Sequence, residues 1–333
     1  MKQNMKQWVS DVIASPKKKA LPILSFPSIQ LMGISVRNLI SSSDSQANGM
    51  KLIADRVPSL ASVSLMDLSV EAEAFGSAIR FSDDEVPTVQ GQIVTDEAGV
   101  DALVVPVVGT ARTGIYVEAI EKAVPLITDR PVFGGVIGPY SLSGRLLGVS
   151  EAMVLCYDEP DMVHKVLEKA TQFLIDYIGA YKAVGANGVV MAEPLTGMLS
   201  PALAEEFSEP YVKRIIECVQ SDDFIVIYHN CGNNVLLMAD SIVRTGAAAF
   251  HFGNAIDLAQ MLPLIPADRL VLGNVDPAGQ LCHGTPESVK AAVQAVLNKC
   301  SYAPNFVLSS GCDIPPASPW ENIDAFFAAA AGS

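Results

Sequence analysis

Eight short apolar, strand-forming runs punctuate the chain, at 22–26, 62–67, 132–137, 188–192, 224–229, 248–252, 270–273 and 306–309. They are nearly continuous in apolar residues, as strands covered on both faces must be. The segments between the later runs carry helical periodicity. From 161 to 184, Val163, Val166, Leu167, Ala170, Phe173, Leu174, Tyr177 and Ile178 recur three and four apart, on one face of a helix. Thr285-Pro286-Glu287 marks another helix start, with an N-cap hydroxyl, a proline at the first helical position and an acid in the first turn. Ser200-Pro201 marks a third. Strands alternating with helices specify a parallel sheet with right-handed crossovers, and eight of them predict an α/β fold closed as a (β/α)8 TIM barrel.

The stretch from 68 to 130, with Gly76, Pro87 and Pro106, breaks this rhythm and is expected to be an insertion after the second strand. No low-complexity linker or 20–50-residue repeat divides the chain, so residues 1–333 are expected to form one domain.

Composition excludes several classes of function. Half the residues are hydrophobic and 17% charged, enough to build a large core. The net charge of −14, with no basic run longer than Lys17-Lys18-Lys19, argues against nucleic acid or an anionic membrane as partner. No stretch approaches 18 apolar residues without Gly, Pro or a charge, and residues 1–21 lack the apolar core of an export signal, so a cytoplasmic location is expected. Small molecules and proteins remain as partners, a homo-oligomer among them. Six cysteines are too sparse for a disulfide framework and are expected to be reduced; Cys156 and Cys218, inside helical patterns, are expected to be core filler.

In a parallel barrel, the chemistry sits where strands end. His229-Asn230-Cys231-Gly232 follows the fifth run and Ser310-Gly311-Cys312-Asp313 the eighth. His229 and Cys231 are two apart, so a continuing strand points both to one face. With Cys312 arriving from a second loop, one imidazole and two thiolates make a three-ligand zinc set with a fourth position open; a lone H-x-C is a weak signal, and four-ligand structural sites favour paired knuckles that are missing here. Gly232 and Gly311 would permit unusual turns beside the cysteines. Glu193 and Asp276, ending the fourth and seventh runs, are candidate catalytic carboxylates, against the plainer reading that they cap helices or bond along the rim. Asp67, Tyr140, Asn230 and Asn254 are rim candidates. His164 reads as a partly buried helix residue, His251 as a satisfied core histidine, and Cys282-His283 as loop. No P-loop or G-x-G-x-x-G fingerprint is present.

Three motifs carry a resemblance: G-N-V-D-P (273–277) with G-T-P-E (284–287), Y-H-N-C-G (228–232), and S-S-G-C-D-I-P-P…P-W-E-N-I (309–323). The chain resembles the uroporphyrinogen decarboxylase superfamily, and within it the corrinoid methyltransferase branch typified by methylcobamide:coenzyme M methyltransferases. The first motif is shared across the superfamily; the other two mark the branch. The resemblance implies that His229, Cys231 and Cys312 hold Zn2+. It implies a methylcorrinoid donor carried by a separate corrinoid protein and a small thiol acceptor such as coenzyme M, with tetrahydrofolate as another candidate. The decarboxylase branch has an N-terminal R-Q-A-G-R segment; here 23–28 reads Ile-Leu-Ser-Phe-Pro-Ser, and no arginine precedes Arg37, which disfavours tetrapyrrole decarboxylation. A decarboxylase-like enzyme and a non-catalytic corrinoid-protein-binding barrel stand as alternatives.

Overall fold

The computed structural model describes residues 3–17 and 19–332; of the basic run, Lys18 lies outside the described residues. The described residues form nine strands: β1 Ser62–Val63, β2 Ala78–Arg80, β3 Thr88–Gln90, β4 Val132–Ile137, β5 Gly188–Ala192, β6 Ile225–Asn230, β7 Ala249–Phe252, β8 Leu270–Val275 and β9 Phe306–Ser310. Seven of them make one sheet in the order β1-β4-β5-β6-β7-β8-β9, with every pairing parallel. β2 and β3 form a separate antiparallel pair.

The sheet curls until its two edges meet the same segment. Leu21 N–H donates to Leu308 O (2.9 Å) on β9, and Leu60 N–H donates to Ala20 O (2.9 Å) just before β1. Residues 22–26, expected as the first strand, do not form a ladder. Pro22 has no N–H to donate, and the next donor, Ile23 N, bonds to the Ser310 side chain (3.1 Å) instead of a backbone carbonyl. β1 is likewise shorter than the expected 62–67. Gly135 N–H bonds to Ser64 Oγ (2.9 Å), so a side chain takes the donor of the next rung and ends the ladder.

Residues 68–130 fold as the helix Val70–Ala74, the β2–β3 hairpin, the helix Glu97–Ala102 and the helix Thr113–Leu126. The helix expected over 161–184 spans Pro160–Ala183. The marked starts also hold: Ser200 Oγ accepts from Leu203 N–H, and Thr285 caps Pro286–Cys300 reciprocally with Ser288.

Alternation along the strands sorts the side chains into two cores. The convex set, including Val132, Val136, Val189, Val226 and Val271, packs against the helices. The concave set, including Phe133, Val190, Ile225, Ile227, Ala249, Leu272 and Val307, fills the inside of the sheet with Leu21 and Ile23. The N-terminal helix Met5–Ala14 closes its lower end, with Trp8 against Phe133 at 6.1 Å between ring centroids. Cys156 is buried as expected; Cys218 is exposed, because it lies on the outward face of Glu209–Val219, whose buried residues are Tyr211, Val212, Ile215, Ile216 and Val219.

Candidate metal centre

His229 lies on the concave face, two residues beyond Ile227 in β6, and is only 2% exposed. β6 ends at Asn230, so Cys231 leaves the ladder one residue later, while Cys312 follows β9 by two residues. Despite the intervening strands, the three side chains converge. One ring nitrogen of His229 and the two Sγ atoms all lie within 4.8 Å of one another. His229 Nε2 and Cys312 Sγ are 3.5 Å apart. Zinc bond lengths of ~2.3 Å to sulfur and ~2.0 Å to nitrogen, in a tetrahedron, separate N and S ligands by about 3.5 Å. The donor set therefore fits the ion in type and spacing. Cys231 and Cys312 are half-buried, so the cluster opens to the mouth and not into the core.

The electrostatics agree. The Cys312 thiol, within hydrogen-bond reach, holds the Cys231 thiol well below its ordinary range. Cys312 moves the other way, pushed up by the neighbouring Cys231 sulfur and by burial. Two thiols this close to one another suit a cation, which would stabilise both as thiolates. Asp313, next in the chain, has a carboxyl pushed well above its usual range by burial, and its Oδ1 has no hydrogen-bond partner among the described residues.

The loops reach the cluster by close backbone contact. A Cβ on Gly232 would lie 2.4 Å from Gly197 Cα, and one on Gly311 would lie 2.7 Å from Asn254 N. Neither glycine has a positive φ, so the expected unusual turn is replaced by tight packing between loops.

The candidate carboxylates have other neighbours. Glu193 is fully buried at the start of the helix Pro139–Leu147, accepting from Tyr140 N–H (2.7 Å), Ser141 N–H (3.0 Å), Ser141 Oγ (2.7 Å) and Thr196 Oγ1 (3.2 Å). Burial pushes its carboxyl up to about 7 against those donors. Asp276 caps the wide helical turn Pro277–Cys282 through Ala278 N–H and Gly279 N–H. Asp67 is buried and bonds to Arg112, Tyr116 and Ser69; Tyr140 is buried with its hydroxyl 3.6 Å from Cys156 Sγ. Asn230 Oδ1 accepts from Gly232 N–H (2.9 Å), shaping the turn after Cys231. Asn254 stands exposed beside Gly311. His164 is half-buried, stacked on Phe207.

Sequence reasoning missed two groups. Arg112 is buried between Asp67 and Glu73 (Nε to Oε2 2.6 Å); nothing in its local sequence distinguishes it from a surface arginine. His251 is buried as expected, but its partner is His229. The rings meet at 2.7 Å, Nδ1 to Nδ1, because the two residues are register partners on β6 and β7. Burial, and next the His229 ring, hold His251 well below the usual histidine range, in its neutral form. The signal was present in the sequence as two histidines at the C-terminal ends of neighbouring apolar runs, His229 last in 224–229 and His251 next to last in 248–252.

The uroporphyrinogen decarboxylase family model matches residues 28–332. The chain belongs to the uroporphyrinogen decarboxylase family. Its relatives include proteins of two activities. A methylcobamide:CoM methyltransferase of Methanosarcina mazei is 30% identical over 267 residues, covering 77% of this chain and 75% of that protein. A uroporphyrinogen decarboxylase of Synechococcus is 30% identical over 212 residues, covering 60% of this chain and 58% of that one. A solved methyltransferase structure from Methanosarcina mazei superposes with a TM-score of 0.86 over 98% of this chain and 97% of that one, at 21% identity, which shows a common fold. A B12-independent methionine synthase from Shewanella follows at 0.63. Membership of a family of such enzymes makes the chain an enzyme.

Proposed function

We propose that this protein is a zinc-dependent methyltransferase that moves a methyl group from a methylated corrinoid, presented by a separate corrinoid protein, to a thiol such as coenzyme M. On this reading, residues 1–333 act as one (β/α)8 unit in the cytoplasm, with residues 20–23 in the place of the eighth strand and 68–130 as the insertion. The observation that carries the reading is the convergence of His229, Cys231 and Cys312 at the mouth of the curled sheet. A decarboxylase acting on a tetrapyrrole polyacid calls for cationic groups at that mouth. Here Arg37 is an exposed residue paired with Asp83, and Arg112 is already held by Asp67 and Glu73.

Zinc held there supplies a cation that favours the deprotonated, nucleophilic form of an acceptor thiol. Two cysteine thiolates and a neutral imidazole would balance the ion's charge, and three protein ligands leave one position for the acceptor. His229 is anchored through its other nitrogen, so its Nε2 is held toward the cysteines. The packing of Gly311 on Asn254 and Gly232 on Gly197 holds both cysteine-bearing loops in place, and half-exposure of both cysteines leaves the cluster reachable by a large donor. Glu193 and Asp276 have a supporting role, each holding the chain just beyond a strand end through backbone donors.

The test is metal analysis of the purified protein together with methyl transfer from methylcobalamin to coenzyme M, other thiols and tetrahydrofolate. About one zinc per chain is expected, with loss of zinc in Cys231→Ala and loss of methyl transfer in Cys312→Ala while the fold is kept. Full zinc occupancy in Cys231→Ala would overturn the ligand assignment. Uroporphyrinogen turnover by the metal-free protein would overturn the activity.

A further inference from the structure

We infer that His251 is a positioning residue that dictates which nitrogen of His229 carries its proton, through a relay running His229–His251–Ser309–Leu21. The inference rests on the metal-site reading above for its purpose, but its geometry stands independently. Leu21 O is a carbonyl and can only accept, so the 2.7 Å contact from Ser309 Oγ uses the one hydroxyl proton that serine has. Ser309 Oγ must then accept at its 2.8 Å contact with His251 Nε2, which places the His251 proton on Nε2. His251 is 1% exposed, no carboxylate contacts it among the described residues, and a charged ring buried without a counter-ion is strongly disfavoured. With one proton only, His251 Nδ1 is bare and accepts. The 2.7 Å contact therefore requires His229 Nδ1 to donate. What remains is His229 Nε2 with its lone pair free, and that is the atom facing Cys312 Sγ.

The order is unidirectional because it ends at a backbone carbonyl, which cannot reverse its role. The backbone supplies the alignment. His229 and His251 are register partners, Leu272 pairs with both His251 and Val307, and Ser309 lies two residues further along β9 on the same face as Val307. All three side chains form the polar layer immediately above the concave apolar core of Ile227, Ala249 and Val307. The nitrogen left bare on a metal-ligating histidine is set by the hydrogen bond of the other nitrogen, and loss of such a partner weakens metal binding by about 10–100-fold.

The experiment measures tautomers directly, in metal-free protein labelled with 15N-histidine, by two-bond 1H–15N correlation; the chain has four histidines, so assignment needs only single His variants. His229 is expected to carry its proton on Nδ1 and His251 on Nε2. A second arm measures zinc affinity by chelator competition, with thermal unfolding of the metal-free protein as the folding control. His251→Phe, which cannot accept, is expected to bind zinc about 10–100-fold more weakly. His251→Gln, whose side-chain oxygen can accept the His229 proton, is expected to recover most of that loss. Ser309→Ala, the milder variant, is expected to show a mixture of His229 tautomers. A wild-type His229 protonated on Nε2 in the metal-free protein overturns the relay, as does wild-type zinc affinity in folded His251→Phe. Failure of the wild type to bind zinc would strike the metal reading instead, leaving the tautomer result to decide the relay.

Discussion

Glu193 sits where two forces oppose each other, and their balance can be measured. Burial favours its neutral form, whereas four donors and the start of the helix Pro139–Leu147 favour the carboxylate. If burial wins, as a carboxyl pushed from 4.5 up to about 7 implies, the folded protein holds a proton that the unfolded chain has released across that interval. A raised acid pKa contributes stability that is complete below the unfolded value and is lost as pH rises through the folded one. The interval of 2.5 units at ~1.4 kcal/mol per unit corresponds to about 3 kcal/mol lost between pH 4.5 and a little above 7. Glu193→Gln removes the ionisation. Its absolute stability will differ, because the amide nitrogen must face a donor, but its pH slope lacks this contribution. Urea unfolding of both proteins from pH 5 to 8 gives the comparison. Wild type minus Glu193→Gln is expected to fall by ~2–3 kcal/mol across that range. A flat difference would refute the reasoning: the four donors would then have outweighed burial, and Glu193 would be a carboxylate throughout.

Two further outcomes follow from buried contacts. Arg112→Met strands Asp67, whose side chain has no solvent exposure, and should cost about 3–5 kcal/mol in urea unfolding; Arg112→Met with Asp67→Leu should regain much of it, and a single variant within ~1 kcal/mol of wild type would mean the pair is dispensable. Gly311→Ala places a Cβ 2.7 Å from Asn254 N and should displace the Cys312 loop, weakening zinc binding in chelator competition while shifting global stability by only ~1–3 kcal/mol; unchanged zinc affinity would show that the loop yields without moving the sulfur.

Much of this architecture was legible in the amino-acid order. Apolar runs and helical periodicity reflect local burial demands, which repeat at spacings of two and of three to four residues. They placed all seven of the sheet's strands, the long helix to within a residue at each end, and the caps at Ser200 and Thr285. Residues 22–26 failed because strand status depends on a neighbour's donors and acceptors as well as on apolar content, and Pro22 and Ser310 redirected them. The three ligand candidates were found from strand-end position and residue chemistry. That His229 Nε2 and Cys312 Sγ stand 3.5 Å apart, from strands separated by two others, is a property of the curl alone. Curling also decided the rest. It set His251 against His229 and closed the relay on Leu21, 288 residues before Ser309. It also turned Glu193 onto a helix start. Local sequence determines which elements form and which side chains they present. Hydrogen-bond partners across a curled sheet are set by register and curvature, and these exist only once all the strands are in place.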